Sequence, residues 1–189
     1  MSPNKLLLHT CCGPCATVVN PWLVQEGYEV KNFFYNPNIH PWDEYVRRYQ
    51  AFFLYLEKTG TNGIVPFPYQ PQDYFQALSD TTKRCLSCYS LRLRITAWYG
   101  KQHQFEYFST TLTVSPYQDV PAIHELGKQI ARETGVCFIE KDFRSFYPES
   151  VARSNNLELY RQKYCGCLFS QWEGVKKREW KSLTGQKYS

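Results

Sequence analysis

The sequence lacks long hydrophobic runs, and this limits where the protein can reside. Apolar residues make up 43% of the 189 residues, yet no uninterrupted run approaches the roughly 20 residues that span a bilayer. The first eight residues hold only a short apolar stretch after Lys5, well below the core of about 7–15 residues in a signal peptide. We therefore expect a cytoplasmic protein without a membrane partner.

Internal repeats, low-complexity stretches and Gly/Ser-rich linkers are also missing. A chain of this length is typical of one domain built around one core. We predict a single α/β domain over residues 1–189. Within it, residues from about 150 to 189 are predicted to form a helical, basic C-terminal extension packed on or beside the body.

The net charge of +5 lies in the C-terminal part of the chain. Between Arg153 and Ser189, eight Lys and Arg residues stand against three Glu residues, which is the whole excess. A basic end beside a neutral body suits a phosphate backbone, because neutralising phosphates releases counterions. The competing interpretation is a solvated end that promotes solubility.

Cysteine, by contrast, is abundant. Seven of the eight cysteines form three tight groups: Cys11, Cys12 and Cys15; Cys85 and Cys88; and Cys165 and Cys167. Cys137, in an apolar run, has the character of a core residue. Cytosolic thiols are kept reduced, so the three groups predict metal or redox chemistry rather than structural disulfides.

Strand-like and helix-like segments alternate along the chain. Strands are predicted near residues 5–9, 30–35, 63–66, 105–110 and 136–140, and helices from about residue 16, after Pro41 up to Gly60, over 85–98 and over 120–130. This order predicts a mostly parallel sheet of about five strands with helices on both faces. Such sheets bind ligands beyond the carboxyl ends of their strands.

Three chemically active segments follow predicted strands, at residues 11–15, 109–118 and 142–144. We expect them to meet at one rim of the sheet. His9, Tyr117 and Asp142 are candidate proton donors there. The alternatives are that His9 ends a strand, Tyr117 only packs and Asp142 caps the next segment. Two arginines, Arg48 and Arg144, are candidate phosphate contacts.

The first two cysteine groups predict a metal centre. Gly13 and Pro14 favour a turn that sets Cys11 and Cys12 at a positive helix end, where thiolates are stabilised. Cys85 and Cys88 are spaced for one face of a helix. Together they offer the four thiolates that a 4Fe–4S cluster requires, and a zinc site with four cysteine ligands is the competing interpretation.

Cys165 and Cys167 flank a single glycine, so a disulfide between them closes a small, strained ring. Strained disulfides are the labile, catalytic kind. This pair can therefore cycle between dithiol and disulfide while delivering two electrons. Alternatively, the pair could hold an additional metal together with Cys15 or Asp142.

An ordered set of motifs resembles the cobalamin-independent epoxyqueuosine reductases of the QueH type. The motifs are LLLHTCCGPC (6–15), YNPN (35–38), CLSCYSL (85–91), TTLTVSPYQ (110–118), KDF (141–143) and LYRQKYCGC (159–167). The resemblance covers nearly the whole chain up to about residue 170. The basic end after Trp172 lies outside it.

The resemblance implies an adenine-nucleotide α-hydrolase-like fold and the last step of queuosine formation, the reductive removal of the epoxide oxygen at the tRNA wobble position. It also implies a 4Fe–4S cluster on Cys11, Cys12, Cys85 and Cys88, with redox-active Cys165 and Cys167. With the candidate proton donors, the predicted catalytic set is Cys165, Cys167, Asp142 and Tyr117. An additional iron is expected near Cys15, Asp142, Cys165 or Cys167. The expected partners are the anticodon loop of tRNA carrying epoxyqueuosine and an external electron donor.

Unstacked loop bases are commonly held against aromatic rings. The candidates for such stacking are Tyr35, Trp42, Tyr45, Tyr117 and Tyr147.

Two other functions remain open at this point. An ATP-dependent tRNA sulfur-transfer enzyme would share fold, cluster and RNA partner, but it needs a Gly/Ser-rich phosphate loop where this chain has cysteines. A zinc-stabilised RNA-binding module would explain the thiols but gives no reason for the pair Cys165 and Cys167.

Overall fold

The computed structural model describes residues 4–78 and 80–185. In these residues five strands form one all-parallel sheet in the order β3-β2-β1-β4-β5. The strands are β1 Asn4–His9, β2 Tyr28–Phe33, β3 Gly63–Ile64, β4 Tyr107–Thr110 and β5 Cys137–Phe138. The predicted parallel sheet is therefore confirmed.

Helices cover both faces of the sheet. They are α1 Gly13–Gln25, α2 Trp42–Thr59, α3 Pro71–Ala77, α4 Arg84–Gln102, α5 Val120–Thr134, α6 Tyr147–Asn156 and α7 Leu168–Thr184. The central strand β1 is buried on both sides: Leu6 and Leu8 pack with α1, and Leu7 packs towards α4. Along the described ranges, no helix combines the length and apolar character needed to cross a bilayer.

The first helix begins earlier than predicted, at Gly13 rather than near residue 16. Pro14 lies in its first turn, where a missing N–H costs nothing because that group has no partner inside a helix. Cys12 is therefore the N-cap residue with an extended backbone, and Cys15 lies one turn further along. This early start brings the thiols of the first group onto one helix end.

Gly13 allows α1 and α2 to approach closely. A Cβ atom at this position would lie 2.5 Å from the backbone oxygen of Ala51 in α2. A backbone oxygen within a helix has little room to move, so this contact requires the absence of a side chain. The α1–α2 packing thus depends on glycine at the cysteine end of α1.

The predicted core role of Cys137 is wrong, because its side chain is exposed. The predicted strand over 136–140 shortens to two residues at the edge of the sheet. An edge strand this short leaves one side open, so the apolar run around Cys137 is covered only in part.

The segment between α6 and α7 is held against α2 by Arg48. Its guanidinium donates to the carbonyl oxygens of Cys165 at 2.9 Å and Tyr164 at 3.0 Å. It also forms an ion pair with Glu44 at 2.8 Å, with both side chains buried. Tyr160 donates a further hydrogen bond to Glu44 at 2.6 Å. Arg48 is thus not available to phosphate, and that sequence prediction is wrong.

The predicted unity of residues 1–189 stays a prediction, since residues 1–3 and 186–189 lie outside the described part. Its C-terminal portion is helical as expected, with α6 and α7 covering most of residues 147–184.

Replacing Gly13 by alanine is expected to lower the free energy of unfolding by about 1–3 kcal/mol, because the new methyl group meets backbone. Gly100→Ala is the matched control, since a Cβ there finds its nearest neighbour at 3.6 Å. In the helix α4 that substitution should leave stability unchanged or raise it by about 0.5–1 kcal/mol. Guanidinium unfolding of both variants measures the difference, and equal effects would contradict the packing role of Gly13.

Arg48→Met should lower the free energy of unfolding by about 3–5 kcal/mol, because it leaves the Glu44 carboxylate buried without its cation. Arg47→Met is the control: Arg47 pairs with Asp43 at the surface, and such pairs contribute only about 0–1 kcal/mol. The double variant Glu44→Gln, Arg48→Met buries no charge and should lose less than Arg48→Met alone. If the double variant is as unstable as Arg48→Met, the lost stability comes instead from the hydrogen bonds of Arg48 to the carbonyl oxygens of Tyr164 and Cys165.

Candidate functional site

The candidate site lies at the carboxyl ends of the central strands. Cys11 and Cys12 follow β1, and Thr111 follows β4, which pairs directly with β1. The backbone N–H of Cys11 donates to the Thr111 hydroxyl at 2.9 Å, so the two loops are joined. The segments expected after β1 and β4 therefore do converge.

Cys11, Cys12 and Cys15 form the first thiol group. Their sulfur atoms all lie within 4.8 Å of one another, and the sulfurs of Cys11 and Cys12 are 3.7 Å apart. Cys12 and Cys15 are buried and Cys11 is half-buried. Sequence analysis assigned Cys11 and Cys12 to a cluster with Cys85 and Cys88, but within this distance their third partner is Cys15.

The three thiols of this group ionise unequally. A hydrogen bond from Cys11 is the main cause that lowers the pKa of Cys12 well below its ordinary value. The shared hydrogen bond raises the pKa of Cys11 to about 12. Hydrogen bonding with Cys11 and Cys12 likewise raises the pKa of Cys15. One thiolate, on Cys12, is thus stabilised by its two neighbours.

Cys85, Cys88, Cys165 and Cys167 form a second thiol group. Cys85 and Cys88 lie one turn apart on α4, and the charges of Cys165 and Cys167 act on both. Cys88 and Cys167 are buried together against the ring of Tyr74 in α3. All eight cysteines of the chain are free thiols.

Arg92 links the two thiol groups. Burial lowers its pKa, but the negative charge available at Cys88, Cys165 and Cys11 outweighs burial, so the pKa is raised overall. The side chain is buried, and its Nη1 reaches the Asn36 side-chain oxygen at 3.4 Å. Arg92 is therefore a buried cation whose charge is stabilised by thiols of both groups.

Three polar side chains other than cysteine donate hydrogen bonds to the sulfurs. The Thr111 hydroxyl lies 3.2 Å from Cys11 Sγ, and Gln162 Nε2 lies 3.1 Å from Cys12 Sγ. Gln118 Nε2 lies 3.5 Å from Cys165 Sγ. Sequence reasoning gave these residues no role, although each lies inside a motif that carries the family resemblance. Tyr74 was missed entirely, since it belongs to none of these motifs.

The donor set fits a metal–sulfur cofactor. Clustered thiolates select soft metals such as zinc and iron–sulfur clusters. Two buried donors beside the thiols have no acceptor: Arg92 Nη2, and the Tyr74 hydroxyl, which lies beside Cys167 without a hydrogen bond of good geometry. Hydrogen bonds to sulfur are a common device for tuning iron–sulfur centres. The residues present therefore suit the expected cluster.

The three candidate proton donors differ in their surroundings. His9 is buried, with its ring nitrogens near Thr110 Oγ1 and the carbonyl oxygen of Tyr35; burial lowers its pKa to about 3. Hydrogen bonds from Arg144 lower the pKa of Asp142, so that carboxyl is an anion at neutral pH. Tyr117 is 87% exposed. Of the three, Tyr117 is free to meet a substrate as a proton donor.

The aromatic candidates divide in the same way. Tyr35 and Tyr45 are buried, and Tyr35 donates to Asp73 at 2.8 Å. Tyr147 packs partly against the core below α1. Trp42 is 60% exposed and stacks on Tyr45 at 5.7 Å between ring centroids. Trp42 and Tyr117 are therefore the members of this set that can accept a stacked base.

A cavity of about 430 Å³ lies away from the thiols, between the later turns of α1, α2 and α6. Its walls include Pro21, Val24 and Tyr55. None of the clustered cysteines lines it, so cavity size does not locate the thiol site in this fold.

The family model described as "Epoxyqueuosine reductase QueH" matches residues 6–173. A protein of that name from Dehalococcoides mccartyi is 38% identical over 174 residues, covering 92% of this chain and 95% of the relative. Its namesake from Thermotoga maritima is 37% identical over 181 residues, covering 90% and 92%.

Among solved structures, the U34-tRNA thiolase NcsA from Methanococcus maripaludis, determined with its 4Fe–4S cluster, superposes with a TM-score of 0.56 at 13% identity. The match covers 97% of this chain and 68% of the thiolase. It confirms the expected adenine-nucleotide α-hydrolase-like fold. From the family match and the relatives of comparable length, the chain belongs to the epoxyqueuosine reductase family of the QueH type.

Proposed function

We propose that this protein reduces epoxyqueuosine to queuosine at the wobble position of tRNA, using a 4Fe–4S cluster held by Cys11, Cys12, Cys85 and Cys88. The observation that carries the proposal is the close group of Cys11, Cys12 and Cys15 at the carboxyl edge of the sheet, beside a buried Arg92 that Cys11, Cys88 and Cys165 influence. Membership of the family supplies the reaction. The fold shared with a tRNA thiolase is compatible with an RNA substrate.

The reaction removes the epoxide oxygen as water and leaves a carbon–carbon double bond, which consumes two electrons and two protons. When bound, the cluster would supply electron-transfer chemistry. A Lewis acid for the epoxide oxygen would require an iron not already held by these four thiolates, such as the additional iron expected near Cys15, Asp142, Cys165 or Cys167. Arg92 and Tyr74 would donate hydrogen bonds to sulfur and hold the thiolates in place. Tyr117, at the open side, would donate a proton to the leaving oxygen.

Cys165 and Cys167 would be the source of the two electrons and two protons as a dithiol, ending as a disulfide, and the proton that Tyr117 donates would be replaced by one from this pair. Formation of one sulfur–sulfur bond releases two electrons and two protons, and loss of one epoxide oxygen as water consumes the same number. Gly166 between them has a φ of +128°, a region that side chains rarely adopt. An external electron donor would then reduce the disulfide. The alternative role is ligation of an additional iron with Cys15 or Asp142, for which the anionic Asp142 is suited.

The structure offers an argument against the ATP-dependent sulfur-transfer alternative. Such an enzyme needs glycines after β1 to cradle a phosphate. The glycine present there, Gly13, is used for contact with α2, where a Cβ would meet the Ala51 oxygen. We therefore expect no nucleotide binding at this loop.

The zinc-module alternative is favoured by one distance. Two thiolates on a tetrahedral zinc ion with bonds of about 2.3 Å lie about 3.8 Å apart, close to the 3.7 Å between Cys11 and Cys12. Anaerobic purification with metal and sulfide analysis decides between the two. About four irons and four sulfides per chain support the cluster; zinc without sulfide, even after reconstitution, would leave the module.

Cys12→Ser and Cys88→Ser should each lose most bound iron and all epoxide reduction on tRNA, because each removes a proposed cluster ligand. The control is Cys137→Ser, which changes an exposed cysteine outside the thiol groups. It should retain wild-type iron and activity. Iron is measured colorimetrically and epoxide loss by mass spectrometry of digested tRNA. Full activity in either ligand variant would overturn the assignment.

Cys165→Ser and Cys167→Ser test the dithiol. Wild-type protein, reduced and then freed of reductant, should convert one epoxide per chain, while either variant with its cluster intact converts none. If the dithiol is obligatory, neither variant should recover any epoxide reduction under continuous chemical reduction. Loss of one iron per chain, measured beside an unchanged sulfide content, would instead assign the pair to a second metal.

A further inference from the structure

The C-terminal helix α7 is an exposed arm attached to the thiol site. Not one of its residues, Leu168–Thr184, is buried. It begins directly after Cys167, whose side chain accepts a hydrogen bond from the Ser170 N–H as the helix N-cap. The second thiol group therefore sets the position of the start of this helix.

Contacts with α4 fix the first turns of α7. Arg84, next to Cys85, forms an ion pair with Glu173 and lies over the Phe169 ring at 5.4 Å. Phe169 also packs against the buried cluster of Tyr74, Cys88 and Cys167. The helix is thus anchored at one end, and its later turns extend away from the anchor.

Positive charge is concentrated in those later turns. Between residues 176 and 181 the helix carries four basic side chains and one acidic one, Glu179. Lys177, Arg178 and Lys181 are exposed and, by their i, i+3 and i, i+4 spacing, lie on one side of the helix. Lys176 lies on another side, where it contacts the Trp172 ring at 5.5 Å.

The family match ends at residue 173, so this basic stripe, defined as Lys177, Arg178 and Lys181, lies beyond the part that defines the family. At about 1.5 Å per residue, it begins about 15 Å from Cys167 and ends about 21 Å away. That distance exceeds a single nucleotide. The stripe cannot touch the reacting base itself, but it can reach neighbouring phosphates.

We propose that α7 is an RNA-binding arm, whose basic stripe contacts phosphates of the anticodon stem while the loop presents its wobble base to the thiols. The inference rests on the proposed function for the identity of the RNA. Exposed Lys83 and Lys163 lie two residues before Cys85 and Cys165 in the chain, so basic side chains also flank the second thiol group. Phosphates are recognised by such charges without regard to sequence.

An anionic membrane surface is the other polyanion that a basic helix could bind. RNA is favoured for two reasons. The arm starts at the thiol site, where the proposed substrate must arrive. The ion pair of Glu173 also anchors the helix to α4, on the body of the protein. A helix lying on a membrane needs its apolar face free along its length. In α7 that face is partly committed, since Phe169 packs on the body.

The test is binding of the full-length, anaerobically purified protein to a fluorescently labelled RNA stem-loop of anticodon-arm size, measured over a range of salt. The variant is Lys177→Gln, Arg178→Gln, Lys181→Gln. Its control is Lys5→Gln, Lys101→Gln, Arg132→Gln, which removes the same charge from exposed sites elsewhere. Glutamine keeps helix propensity close to that of lysine and arginine.

Three lost phosphate contacts should lower the salt dependence of log affinity by about 2–3. Between 50 and 200 mM salt, wild-type affinity should therefore fall about 40-fold further than that of the arm variant. The control variant should keep the wild-type slope. Equal slopes for the arm variant and wild type would overturn the proposal, as would binding of the wild type to phosphatidylserine vesicles in preference to the RNA.

Turnover separates this inference from the proposed function. The arm variant should show a raised KM for tRNA, an unchanged rate at saturating tRNA, and unchanged reduction of the free epoxyqueuosine nucleoside. If the protein reduces epoxyqueuosine neither in tRNA nor as the free nucleoside, the proposed function alone is contradicted. The proposal for α7 is then still tested, because RNA binding is measured without turnover. A variant with a reduced rate on the free nucleoside would make α7 a structural part of the site and overturn the arm.

Discussion

The site depends on one buried interaction, the contact of the Arg48 guanidinium with Glu44 and with the carbonyl oxygens of Tyr164 and Cys165. Glu44 and Arg48 are one turn apart on α2, so the helix pre-sets the pair before the distant segment arrives. The carbonyl oxygens of Tyr164 and Cys165 then accept hydrogen bonds from a buried, pre-positioned guanidinium. Such charged hydrogen bonds are strong where water is excluded. Together with the hydrogen bond from Tyr160 to Glu44, this anchor holds the third cysteine group against α2.

A second constraint acts at the other side of the site. All five strands are parallel, so the loops after β1 and β4 open at the same edge, and Gly13 lets α1 lie close enough to α2 for both helices to border it. The first thiol group thus sits at a helix start, with a positive end that favours thiolate. The second thiol group is brought in by α4 and by the segment that Arg48 holds. Arg92, buried between them, responds to the thiols of both.

The same arrangement links chemistry to recognition of a large substrate. Buried thiols and orphaned donors such as Arg92 Nη2 suit a cofactor that water should not reach. Trp42 and Tyr117 are exposed, so a base can stack on either ring. Cys167 belongs to both functions, since it lies in the buried thiol group and also caps the helix that we propose as the RNA arm. A change at Cys167 therefore affects the second thiol group and the start of that helix together.

The sequence by itself determined the strand and helix order, the long helix between Pro41 and Gly60, the parallel sheet and the identity of the clustered thiols, because periodicity, glycine and proline act locally. It also carried the family resemblance through short motifs. It could not tell that Arg48 is buried or that Cys137 is exposed, since each depends on which distant surfaces meet. Tyr74, Gln118 and Gln162 acquire their roles only when α3 and two loops reach the sulfurs. Those contacts are between residues far apart in the chain, and only the tertiary structure decided them.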